Sequence, residues 1–354
     1  MAYTNIDDPS AYFHTQLYTG NGSTQNITNN ANAGNFKPDY IWTKARGDNG
    51  SHTNQDSNRG AGKQFYPNLT YQEENVQGVS AFLTNGFSLG SNGTSNANNV
   101  THVAWQWKCN GGTTASNTDG TITSTVQANT TAGFSIITYT GTGSVGTIGH
   151  GLGVAPKMLI VKNRTTALDW AIYHKDLTDD GYVVAFNNTD AQADSGTNRW
   201  NDTAPTSSVI HIGAGQQTNQ NTNNMVCYAF APIQGYSKFG SYVGNGHVRG
   251  PFIYTGFKPA FLIVKNITNS GYDWAMTDNK RSPINEVDKY LWPNSTGYEY
   301  SGSGINLDMD YLSNGIKLRT SRSETNHNGA TFIYMAFAEN PFVTSTGIST
   351  TARA

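Results

Sequence analysis

The sequence predicts an all-β protein of three tandem, homologous antiparallel modules of the β-sandwich or jelly-roll kind, and three observations carry that prediction. Composition is the first: only 13% of the 354 residues are charged, while aromatics reach 12% and Gly numbers 38. Such a chain is polar yet holds enough ring area to build cores. The second is an internal repeat, and the third is that no stretch carries a 3.6-residue apolar period, whereas short apolar runs alternate with Gly, Asn and Ser turns.

Residues 1–11 are too polar to fold alone and read as an N-terminal docking segment. Tyr18-Thr-Gly-Asn-Gly22 then recurs as Tyr139-Thr-Gly-Thr-Gly143 and Tyr242-Val-Gly-Asn-Gly246, each after an aromatic-containing segment, which is a strand running into a glycine turn. Phe36-Lys-Pro-Asp-Tyr-Ile-Trp-Thr-Lys44 is matched by Val154–Lys162 and Phe257–Lys265. Proline cannot donate to a ladder, so Pro38, Pro156 and Pro259 mark the strand entrance, and the apolar run reads as a buried strand ending in a lysine at the sheet rim. Val103-Ala-Trp-Gln-Trp107, Tyr228-Ala-Phe-Ala231 and Met335-Ala-Phe-Ala338 close the units. These blocks set modules at 12–110, 133–234 and 235–340, each expected to bury a compact core of its own. Residues 111–132, rich in Gly, Thr, Ser and Asn, read as a flexible linker, and 341–354 as a C-terminal tail.

Charge and motifs narrow the function. With 22 basic against 24 acidic residues, no global positive field draws in nucleic acid. No apolar run reaches the length that spans a bilayer, and the N-terminus lacks the basic start and apolar core of a secretion signal. Cys109 and Cys227 read as buried free thiols. Gly86-Phe-Ser-Leu-Gly90 spells a nucleophile elbow, but it follows an Asn-Gly turn inside a strand pattern, with no helix after it. Gly141-Thr-Gly-Ser-Val-Gly146 spells a dinucleotide fingerprint, yet it too lacks its helix. The eight histidines show no ligand spacing, so neither a metal nor a cofactor is expected. No titratable cluster recurs, and the sequence reads as non-enzymatic.

Aromatics outside the repeat give the candidate binding residues. Trp200, in Asn198-Arg-Trp-Asn-Asp202, and Trp292 and Tyr298, in the cluster with Tyr290 and Tyr300, lie in unit-specific stretches with polar neighbours. Rings beside amides suit a sugar-binding surface; the same rings could instead cover a module's own core under a long loop. Trp200, Trp292 and Tyr298 are taken as the ligand-binding anchors.

Longer strings resemble a known family. Ile6-Asp-Asp-Pro-Ser-Ala-Tyr-Phe13, Val103-Ala-Trp-Gln-Trp-Lys108, Gly149-His-Gly-Leu-Gly-Val-Ala-Pro156, Gly235-Tyr-Ser-Lys-Phe-Gly-Ser-Tyr242 and Tyr334-Met-Ala-Phe-Ala-Glu-Asn-Pro-Phe342 resemble the tandem β-rich modules of marine bacteriophage virion structural proteins, often of the tail-fibre type. The resemblance implies a virion protein assembled in the bacterial host cytoplasm, most directly a tail-fibre or tail-appendage component for host attachment. Capsid decoration or a head fibre is one alternative, and a glycan-degrading depolymerase another. It implies other virion proteins, a homo-oligomer such as a trimer, and a host-surface glycan as partners. No catalytic residue is carried over.

Overall fold

The apolar runs after each proline become the most deeply buried strands of the molecule. The computed structural model describes residues 2–301 and 308–350. In the first unit the strands are β1 (Phe13–Thr19), β2 (Gln25–Ile27), β3 (Tyr40–Ala45), β4 (Thr53–Asp56), β5 (Lys63–Gln64), β6 (Glu74–Asn75), β7 (Val79–Leu83), β8 (Gly86–Leu89) and β9 (Thr101–Trp107). Next come β10 (Ala115–Asn117) and β11 (Ser124–Asn129), then β12 (Phe134–Thr140), β13 (Gly146–Gly149), β14 (Met158–Asn163), β15 (Ala171–His174), β16 (Tyr182–Val183), β17 (Ala193–Asp194), β18 (Val209–Ile212) and β19 (Asn224–Phe230). The last stretch holds β20 (Ser237–Val243), β21 (Phe252–Tyr254), β22 (Phe257–Asn266), β23 (Ala275–Asp278), β24 (Lys289–Tyr290), β25 (Tyr300–Ser301), β26 (Met309–Leu312), β27 (Gly315–Leu318) and β28 (Thr331–Pro341). Among the described residues helix is confined to single turns, including α1 (Gly93–Asn96), α2 (Thr197–Trp200), α3 (Gln216–Asn219) and α4 (Ser323–Asn326). The chain is all-β.

One strand order recurs. It is β1-β9-β3-β4 in the first large sheet, β12-β19-β14-β15 within the second, and β20-β28-β22-β23 in the third. A small sheet lies over one face of each: β2-β8-β7, β13-β18 and β21-β27-β26. Between large and small sheets sit three separate cores. Ile41, Phe87 and Leu89 belong to the first, Leu159, Ile210 and Ile212 to the second, and Leu262, Ile316 and Leu318 to the third.

The opposite faces of the large sheets are buried as well, and against one another. A single apolar cluster joins Trp42, Trp105 and Trp107 of the first sheet, Phe134, Ile160 and Phe230 of the second, and Phe261, Met335 and Phe337 of the third. Each unit therefore has a core of its own together with a share in a central one. Burial on both faces is why β3 and β14 are buried at every position and read as continuous apolar runs without alternation.

Three expectations are corrected. The stretch 111–132 is no flexible linker: it supplies β10 and β11, and β11 pairs antiparallel with β12 over six residues. Lys44, Lys162 and Lys265 share one register position, opposite Val103, Val226 and Ile333, but they are fully buried and not at an exposed rim. Their ammonium groups donate to backbone carbonyls, Lys162 to those of Thr70, Asn163 and Leu168, and burial brings all three down to about 8. Finally, the polar N-terminal segment is seated on the chain itself. Thr4 and Ile6 are buried, Thr4 Oγ1 donates to the Gln234 carbonyl at 2.7 Å, and the Tyr3 hydroxyl donates to that of Gly256 at 2.6 Å. The tail folds back too, with the Ser345 N–H on Asp7.

Candidate functional site

The repeated glycine turn is locked by a residue the sequence reading passed over. Asn96 sends its side-chain N–H groups to the Ser23 and Gly90 carbonyls at 2.6 and 2.7 Å, while its Oδ1 accepts from the Asn21 N–H at 3.0 Å. Asn219 and Asn326 make the matching bonds in the other units. The tyrosines that open the motif, Tyr18, Tyr139 and Tyr242, donate to the carbonyls of Ser95, Thr218 and Thr325 just before those asparagines. Glycine is required where turn and helix touch: a Cβ on Gly20, Gly141 or Gly244 would lie 2.2, 2.2 or 2.3 Å from a carbonyl oxygen.

The buried charges gather where units meet. Trp107, Phe230 and Phe337 are one position by register, and across the intervening strand they align Asp56, His174 and Asp278. Asp56 takes Arg59 Nε at 2.5 Å and, from the second unit, the Tyr228 hydroxyl at 2.7 Å. Arg59 reaches Glu73 at 3.0 Å, and Glu73 is held bidentately by Arg164 of the second unit at 2.9 and 3.0 Å. Asp278 repeats the arrangement toward the first unit, taking Arg281 Nε at 2.5 Å and the Trp105 indole N–H at 3.0 Å. Arg281 meets Glu299 at 3.3 Å, and Arg46 holds Glu299 bidentately at 2.9 Å. Burial raises the Glu73 carboxyl, but Arg164 and Arg59 outweigh it and hold it below its ordinary range.

At the third junction the same positions carry His174, Leu177, Gln192 and Ile267. The backbone frame is kept, since the N–H groups of Glu73, Gln192 and Glu299 donate to the carbonyls of Arg164, Ile267 and Arg46 at 3.0, 3.2 and 2.9 Å. His174 Nδ1 accepts the Asp176 N–H, so Nε2 carries the proton and donates to the Tyr334 carbonyl at 3.3 Å. Burial lowers this imidazole to about 4. The junctions run first to second, second to third and third to first, so the ring closes.

A further set of donors repeats around it. Trp170 Nε1 donates to the Tyr66 carbonyl at 3.2 Å and Trp274 Nε1 to that of Ala185 at 2.8 Å. In the first unit His52 stands in the equivalent place before β4, and its Nε2 meets the Trp292 carbonyl at 3.0 Å. The Trp42 indole can only donate, and it occupies His52 Nδ1 at 2.9 Å, which fixes the neutral tautomer.

The three expected anchors part company here. Trp200 is 1% exposed, in the second unit's own core, with its indole N–H on the Tyr182 carbonyl and its ring edge-on to Tyr173. Trp292 is 7% exposed and packs between Tyr290 and Tyr300. Neither ring is free to stack on a ligand. Asn198 and Asp202 beside Trp200 are exposed while its ring is buried, and Trp292 is flanked by the buried Leu291 and Pro293. Tyr298 is 51% exposed, stacked on Tyr300 at 5.3 Å, and its N–H donates to Asn49 Oδ1 of the first unit. It stands next to Glu299, so a junction ion pair fixes the segment that presents this ring. A concavity of about 200 Å³ brings Asp169, Asp190 and Arg199 beside Ala191 and Trp170. Among the described residues no group of three His, Cys, Asp or Glu is placed to hold a metal.

This arrangement defines an all-β scaffold in which two buried Asp–Arg–Glu–Arg sets join its parts. Residues 8–341 match a family described as a domain of unknown function, DUF7483, and the chain belongs to that family. No curated protein and no solved structure matches it.

Proposed function

We propose that the chain is a non-enzymatic structural component of a bacteriophage virion, most directly a tail-fibre or appendage protein that contributes to host attachment. The observation that carries the structural part is the closed ring. Asp56, Arg59, Glu73 and Arg164, and their counterparts at Asp278, are committed to holding units together, and unit-specific loops such as that of Tyr298 are carried on the resulting frame. Binding function commonly sits on loops of such a rigid support. The phage assignment is supported by the sequence resemblance of the repeated strings. A ring closed within one chain needs no further copies to complete its core, so the homo-oligomer rests on that resemblance.

Immunogold labelling of purified phage particles tests the reading. Label on tail appendages is expected, label on the head would favour decoration, and absence from particles would reject a virion role. Incubation with host capsule or lipopolysaccharide is the second arm, where new reducing ends would overturn the non-enzymatic assignment.

A further inference from the structure

The strands β1, β12 and β20 hold one position in the three large sheets, and their outer edges are treated differently. In the second unit β11 covers the edge of β12, pairing Gln127 with Ile136 and Thr125 with Thr138. The first unit closes that groove from the other side: the Asn58 amide donates to the carbonyls of Thr125 and Ile136 at 3.3 and 2.8 Å, and Gln127 Nε2 donates to Ser57 Oγ at 2.9 Å. Register places Ser57 and Asn58 in line with Lys175 and Asp176, and β12 in line with β20. The groove between β20 and Lys175-Asp176 is therefore the same groove. Its volume is about 400 Å³, and among the described residues no strand pairs with its open edge. The corresponding groove beside β1 is narrowed by Asn30 and Asn32 to about 40 Å³.

The outer edge of β20 is ready to pair. The Ala338 N–H donates to the Tyr236 carbonyl, so Lys238, Gly240 and Tyr242 turn their backbone groups to β28, and Phe239 and Ser241 turn theirs away. These are the counterparts of Ile136 and Thr138. Aromatic surface flanks the edge, with Phe252 and Tyr254 among the most exposed large apolar side chains. Charge is also set: Lys175 stands where Ser57 meets Gln127, and Lys238 lies over the Tyr254 ring at 4.9 Å. Asp176, paired with Lys175, offsets one of these two positive charges.

We propose that the β20 groove is a docking site for an extended segment of a partner protein, added antiparallel to β20 as β11 is added to β12. The segment carries an acidic side chain at the position of Gln127, facing Lys175, between small apolar residues at the positions of Val126 and Ala128. Main-chain bonds supply the affinity in such strand addition, and alternate side chains the specificity. The inference stands on the three-way comparison of edges and not on the virion reading.

A fluorescein-labelled peptide of Thr121–Thr130 carrying Gln127→Glu is the probe, titrated against the full chain. Saturable binding is expected, with slowed amide exchange in Ser237–Val243. Ser241→Pro removes an outward N–H without touching the β28 pairing and is expected to weaken binding by about tenfold or more. Lys175→Glu, a change at a half-exposed side chain, is expected to weaken it about threefold or more. The proposal is overturned by absence of saturable binding at millimolar peptide, or by binding indifferent to both substitutions. A dimer in sedimentation that Ser241→Pro abolishes would overturn it also, since the occupant would then be a second copy.

Discussion

Asp56, His174 and Asp278 occupy one position in three sheets, and the residue facing each follows its chemistry. Where the acceptor is a carboxylate, the neighbouring unit presents a donor, the Tyr228 hydroxyl or the Trp105 indole. Where it is His174, the same strand position holds Met335, and a backbone carbonyl takes the imidazole proton. Two solutions to one junction thus coexist, one ionic and one largely apolar. A buried carboxylate stripped of its partner is costly, whereas exchanging a whole ionic set for apolar groups often is not. Arg59→Leu alone is expected to lower stability by about 3–5 kcal/mol in urea unfolding. Asp56→His/Arg59→Leu/Glu73→Gln/Arg164→Ile/Tyr228→Met, which copies the third junction, is expected to recover at least half of that loss. A combined variant no more stable than Arg59→Leu would show that the junctions are not interchangeable. The unit-specific rings divide on the same criterion of burial. Trp200→Ala and Trp292→Ala are expected to cost about 3–5 kcal/mol, and Tyr298→Ala within about 0.5 kcal/mol. Melting curves in which Tyr298→Ala falls as far as the two tryptophan variants would place its ring in the core.

The glycine turns and the strands after proline were legible in the sequence because glycine, proline and apolar runs leave a local signature. Asn96, Asn219 and Asn326 were not, although each precedes its Trp105, Tyr228 or Met335 by a constant nine residues. In a chain this rich in asparagine, a buried one has no contrast against its neighbours. The strand β11 was hidden for a related reason, since Ser124-Thr-Val-Gln-Ala-Asn129 alternates weakly and sits in a Gly/Thr-rich stretch. Burial gives the asparagines their weight: removing Asn219 strands the Ser144 and Gly213 carbonyls and the Thr142 N–H, to which it bonds. Thr142 and Ser144 are exposed, so water can replace those two bonds, and the Gly213 carbonyl is the buried group left unsatisfied. Such a group costs about 1–3 kcal/mol, so Asn219→Ala is expected to lose about that much and to open Thr140–Gly146 to amide exchange. Asn219→Asp keeps the acceptor and loses both donors, and should fall nearly as far. Wild-type exchange rates across that turn in Asn219→Ala would refute the clamp.

At the scale of the molecule, acid should loosen the ring before it reaches the carboxylates. Burial depresses His174 and His102 to about 4, while in the unfolded chain they titrate near 6.5. Unfolded chain therefore binds the extra protons between those values, and stability that is complete above pH 6.5 drains away as pH falls toward 4. Each histidine accounts for about 2 kcal/mol between pH 7.5 and pH 5. Urea midpoints at pH 7.5, 6 and 5 would show the slope, and His174→Gln should reduce it by that residue's share and leave the part due to His102 and to the other histidines that burial depresses, His52 among them; an unchanged slope would mean that His174 does not contribute.

Ring closure is the feature the sequence reading could not reach, because a sheet face that meets its own small sheet and one that meets two other units are both simply apolar. Its consequence is thermodynamic. A module with only a private core would melt as an independent domain, and three of them would give a calorimetric enthalpy about three times the van't Hoff value. Here Phe134, Ile136, Ile160, Trp170, Tyr228 and Phe230 of the second unit lie in a cluster completed by the other two. Excised as 111–234, that unit would present this whole face to water, an area well beyond what soluble monomers leave open. The full chain is therefore expected to unfold in one transition with an enthalpy ratio near one, and the excised unit to bind a hydrophobic dye and lack a cooperative melt. Resolved transitions in the full chain, or a sharp melt from residues 111–234 alone, would show that the central core contributes little to folding and that the private cores suffice.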